Sequence, residues 1–102
     1  MNDIEYIKIT IFNKYYITKI NIDTKKLKVL INDEFRDITI DKINELLEIT
    51  KYWKLNYQGL ALDAEKFTVK LISSVQGIKT YQGNGEYPYN YNDFKRWTSD
   101  II

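Results

Sequence analysis

At 102 residues, with 15 basic against 14 acidic side chains, 44% hydrophobic and 28% charged content, the chain has the size and balance of one globular domain. It contains neither cysteine nor histidine. That removes disulfides, thiolate metal sites, Cys nucleophiles, Ser-His triads, and the commonest general base and metal ligand together.

No run approaches the roughly 20 apolar residues of a membrane span. The acidic start, Met1 to Glu5, lacks the basic-then-apolar order of a signal peptide. A cytoplasmic protein with no membrane segment is expected. Ile, Lys, Asn and Tyr supply 47 residues, and Ala stands only at positions 61 and 64. Such usage fits an AT-rich genome, that of a bacterium or of a phage or plasmid within one.

Residues 4–12 alternate, with Ile7, Ile9 and Ile11 on one side and Tyr6, Lys8 and Thr10 on the other. That period of two predicts a strand. Asn13-Lys14 turns the chain, and Tyr15–Ile22 reads as a second strand placing Tyr16, Thr18, Ile20 and Ile22 together. Asp23 to Lys25 turns again, Leu27, Val29 and Ile31 mark a third strand, and Phe35–Ile40 a fourth beyond the turn residues Asn32 to Glu34.

The period then changes. Ile43, Leu46, Leu47 and Thr50 stand at helical spacing, predicting a helix over 41–50 capped by Thr39 or Asp41. Tyr52–Gln58, Lys66–Ser74 and Ile78–Gln82 read as three more strands, with a loop around Asp63 to Glu65. From Asn92 onward Phe94, Trp97 and Ile101 recur at helical spacing, capped by Asn90 or Asn92.

The expected fold is α+β, in the order βββ(β)α–βββα: an antiparallel meander with both short helices packed on one face. It forms a single domain over residues 1–102. Phe94 and Trp97 align with Ile43 and Leu46, which makes 1–50 and 51–102 candidate degenerate halves.

No motif predicts catalysis. Gly83-Asn84-Gly85 is followed by Glu86, Tyr87 and Pro88 rather than by a helix, so it lacks the phosphate-binding context and reads as a turn needing positive φ. Asp33, Glu34, Asp37 and Asp41 lack the spacing and central glycine of a calcium loop, and turn and cap duties explain each. The expectation is a non-enzymatic protein with no cofactor and no metal.

Binding signals are stronger. Tyr81, Tyr87, Tyr89, Tyr91, Phe94 and Trp97 crowd into seventeen residues, and tyrosine and tryptophan are the residues that anchor protein interfaces. Charge is uneven too. Lys8 to Lys28 holds six lysines against Asp23, and Asp33 to Glu48 holds six acids against Arg36 and Lys42.

The first expectation is therefore a protein-binding module using Tyr81, Tyr87, Tyr89 and Tyr91 with Asp33, Glu34 and Asp37, the acids mimicking phosphates toward a basic nuclease groove. Small size and the lack of catalytic residue types are shared with phage and mobile-element inhibitors of bacterial defence nucleases, anti-CRISPR proteins among them. The second is single-stranded nucleic-acid binding through a basic, aromatic sheet face carrying Lys8, Lys19, Lys26, Lys28 and Tyr15. The third is an accessory subunit whose exposed aromatics close an oligomer.

One resemblance stands beside these readings. Trp53-x-Leu55, the strand Phe67–Leu71, Gly83, then Tyr87-Pro88-x-Asn90-Tyr91 and Phe94 resemble a pattern in small domains of Firmicute bacteria. There, a Trp-x-Leu strand precedes a Gly-x-x-x-Tyr-Pro-x-Asn turn and a closing amphipathic helix. The resemblance covers residues 52–101. It implies a folding device, a Tyr-Pro turn docking the last helix on the sheet, and transfers no activity.

Overall fold

A computed structural model describes residues 3–59 and 64–102; Asp63 of the expected loop lies outside them. The strands are β1 (Ile4–Phe12), β2 (Ile17–Asp23), β3 (Lys28–Ile31), β4 (Glu34–Asp37), β5 (Asn56–Gln58), β6 (Lys66–Ser73) and β7 (Gly77–Asn84). The helices are α1 (Ile40–Thr50) and α2 (Tyr91–Ile101). The fold is mixed α+β, with one seven-stranded sheet ordered β4-β3-β2-β1-β6-β7-β5.

The first four strands form the expected meander, and its turns follow from side-chain chemistry. Asn13 Oδ1 accepts from the Tyr15 and Tyr16 amides, and Asp23 Oδ1 from those of Lys25 and Lys26. Asn32 and Asp33 both take positive φ, 45° and 72°, in a two-residue hairpin pairing Ile31 with Glu34. That is the mirror-image turn whose twist suits right-handed strands.

The second half departs from a simple meander. β6 pairs antiparallel with β1 over eight residues and with β7 on its other side, while β5 lies beyond β7 and runs parallel to it. Of the expected strand Tyr52–Gln58, only the last three residues join the sheet. The reason is Trp53, 6% exposed, whose side chain turns into the core below the end of α1. The long β6–β7 hairpin then takes the place beside β1. β4 also ends at Asp37, short of the expected Ile40, because Thr39 caps α1: its hydroxyl accepts from the Lys42 amide at 3.2 Å.

Alternation does the rest. Ile7, Ile9, Ile11, Ile20, Ile22, Val29, Ile31, Phe67, Val69, Leu71 and Tyr81 share one buried cluster with Ile43 and Leu46 of α1 and Phe94 and Trp97 of α2. Trp97 Nε1 donates to the Lys42 carbonyl at 2.8 Å, tying the two helices. Both helices thus cover one face of the sheet. Gly83 sits on that face because a Cβ there would lie 2.2 Å from Phe67 Cε1. In the expected Gly-Asn-Gly turn only Gly85 takes positive φ, 81°; Gly83 and Asn84 close β7.

Candidate functional site

The alternate side chains of the sheet point away from the helices, and none of them is buried. This open face carries Lys8, Lys19, Lys28, Lys66 and Lys70 against two acids, Asp23 and Asp37. Lys28 pairs with Asp37, and the Asp23 carboxylate is engaged by its own turn. Lys8, Lys19, Lys66 and Lys70 make no ion pair among the described residues. The helices carry the opposite balance, five acids against three bases. The molecule is therefore electrically polarised across its thickness.

At the centre of the open face Lys8 stands directly opposite Lys70 on the neighbouring strand. Side chains so placed have Cβ atoms roughly 5 Å apart, and like charges there are destabilising. Aromatics lie among the lysines: Tyr6 and Phe12 on β1, 47% and 45% exposed, and Phe35 on β4, 76% exposed. A shallow groove of about 310 Å³ runs between Tyr6 and Phe35, lined also by Lys8, Asn21, Lys26 and Lys28.

Of the nucleic-acid residues expected from sequence, Lys8, Lys19 and Lys28 lie on this face and Lys26 borders its groove. Tyr15 is instead in the β1–β2 turn, with Lys14 Nζ 5.5 Å from its ring centre. Sequence reasoning missed Lys66, Lys70 and Phe35. The alternation of Lys66, Thr68 and Lys70 against Phe67 and Val69 was visible. The β1–β6 pairing that carries those lysines next to Lys8 was not.

The tyrosine segment is mostly structural. Tyr81 is a core residue, 2% exposed, which corrects its expected place on a surface. Tyr87 and Tyr91 stack with ring centres 4.6 Å apart. Tyr87 Oη donates to the Glu65 carbonyl at 2.9 Å, and Tyr91 Oη to the Glu65 carboxylate. Only Tyr89, 84% exposed, offers its whole ring to solvent. Of the expected acids, Asp33 serves a turn, while Glu34 and Asp37 are exposed and paired with Arg36 and Lys28.

Glu65 gathers one further polar cluster. Its carboxylate accepts from Lys95 Nζ at 2.6 Å and Asn13 Nδ2 at 3.3 Å as well as from Tyr91. Burial alone would raise its pKa, but these donors together outweigh burial and hold it below the usual carboxylate range. Burial, reinforced by Glu65, pushes Tyr91 up. Lys95 is raised by Glu65 in spite of its own burial. All three groups are thus fixed in one protonation state at neutral pH, which suits a tie between the β1–β2 turn, the segment just before β6 and α2.

A depressed carboxylate contributes stability that is complete above its unfolded pKa, about 4.3, and is lost as pH falls through the folded value. Thermal unfolding followed from pH 7 downward should therefore show the melting temperature falling in the acid range. Glu65→Gln should flatten part of that fall. An unchanged pH profile in the variant would remove Glu65 from the account.

Asn90 fixes the start of α2. It precedes the helix, yet its side chain makes no cap. Its Oδ1 accepts from Trp53 Nε1 at 2.6 Å and its Nδ2 donates to the Ile49 carbonyl at 2.8 Å. Among the described residues no three acids are grouped to hold a metal, and no helix is long and apolar enough to cross a membrane. Compared with family models, curated proteins and solved structures, the chain matches none of them.

Proposed function

We propose that this chain binds single-stranded nucleic acid on the open face of its sheet. The observation that carries the reading is the lysine cluster of that face, with Lys8 and Lys70 directly opposed and neither paired with an acid among the described residues. Like charges placed together cost the free protein stability, and a polyanion lying across them turns that cost into attraction. The aromatics supply the second element. Exposed rings stack bases without regard to sequence, worth roughly 1–3 kcal/mol per base.

Single strands suit this surface better than duplex. The open face is a sheet with no helix projecting from it to enter a groove, and unstacked bases can lie flat against its rings. The expected inhibitor surface keeps fewer anchors, since Tyr81 is buried and Tyr87 and Tyr91 are engaged within the fold.

The test is fluorescence anisotropy with labelled DNA and RNA strands of about 12 nucleotides and a matching duplex, in salt from 50 to 200 mM. If all five lysines meet phosphates, the logarithm of the binding constant should fall with the logarithm of salt at a slope of about −3.5, losing roughly 10²-fold over that range. Preference for the duplex, or binding indifferent to salt, would contradict the proposal.

A further inference from the structure

The open face does not end at the lysines. β5 and β7 run parallel at its far edge and place Asn56 beside Gln82 and Gln58 beside Asn84. The buried residues of these strands, Tyr57, Tyr81 and Gly83, face the helices, so the four amides share the open side. Asn56, Gln58 and Gln82 are exposed and Asn84 is half-exposed. None of the four side chains has a hydrogen-bond partner among the described residues. The array is continuous with the basic surface, since Asn84 stands opposite Lys66 and Gln82 opposite Thr68.

We infer that this amide quartet reads base edges, and that adenine is the base it favours. The inference rests on the single-strand reading above. A primary amide offers a donor and an acceptor side by side, and on the Hoogsteen edge, which an unpaired strand leaves open, adenine alone presents the matching pair, at N6 and N7. Guanine shows two acceptors on that edge, which call for arginine or lysine, and the quartet contains neither. The division of labour follows: lysines across β1, β2, β3 and β6 hold phosphates and set register, while the β5–β7 edge discriminates.

The experiment compares oligo-adenylate, oligo-cytidylate and oligo-thymidylate of equal length by anisotropy, with the native chain and with Asn56→Ala/Gln82→Ala. Both residues are exposed, and unchanged thermal unfolding verifies that the variant is folded. The native chain should bind the adenylate between roughly five- and a hundredfold tighter than the pyrimidine strands, as one bidentate amide contact gives. The variant should lose that preference while its pyrimidine affinity and salt slope stay unchanged.

Native binding without base preference, or a uniform loss across all three strands in the variant, would overturn the amide assignment alone. Failure of the native chain to bind any of the strands would overturn the single-strand reading itself.

Discussion

Replacing Trp53 by alanine should lower stability by about 3–5 kcal/mol, the range for deleting a buried indole. The ring meets Phe67, Tyr81 and Phe94 edge-on, with centroid distances of 5.4, 5.8 and 5.2 Å. Such pairs contribute about 0.5–1.5 kcal/mol each beyond burial. Alanine would also leave Asn90 without the donor that fixes the start of α2. For a domain of this size the loss should move Tm down by at least about 12 °C.

Trp53→Phe separates the two contributions. It keeps much of the aromatic packing and removes the hydrogen bond, so a smaller loss, about 1–3 kcal/mol, is expected in denaturant unfolding. A Trp53→Ala chain as stable as the native one would mean that the β6, β7 and α2 contacts do not meet at this ring.

The sequence made the local devices legible. Isoleucine alternation in β1 and β2, the Asn13, Asp23 and Asn32-Asp33 turns and the Thr39 cap each depend on neighbours within a few residues, and each appears in the fold. Long-range pairing was less legible. Residues 52–58 alternate like a strand, but Trp53 had a better place in the core than in a ladder, and periodicity alone does not register that competition. Tyr81, Tyr87 and Tyr91 looked like a surface because their partners lie 22 to 28 residues away. Asn90 holds the N-cap position that the sequence indicated, but its side chain bridges Trp53 and Ile49 rather than capping the helix.

The candidate site was legible by halves. Lys8, Lys19 and Lys28 announced a basic face, because their strands are consecutive and their hairpins short. Lys70 joined them only through the β1–β6 ladder, whose partners are 62 residues apart at Lys8. That same ladder brings the amides of β7 and β5 onto the face.

The second large effect concerns Lys8 and Lys70. Reversing both, as Lys8→Glu/Lys70→Glu, keeps like charges opposed across the ladder, so stability should change little. Reversing Lys8 alone creates an opposite-charge pair and should raise stability by about 0.2–1 kcal/mol. Binding should respond in the other sense. Each lost phosphate contact shallows the salt slope by about 0.7, and two lost contacts with added repulsion should weaken single-strand affinity on the order of 10²-fold at 50 mM salt.

The most direct test of the central claim is the affinity of native chain and Lys8→Glu/Lys70→Glu for one mixed-sequence single strand, with thermal unfolding measured on the same samples. The account expects matched unfolding curves, affinity reduced on the order of 10²-fold and a salt slope shallower by about 1.4. Equal affinity in the two chains, with both folded, would contradict it and remove the open sheet face from the function of this protein.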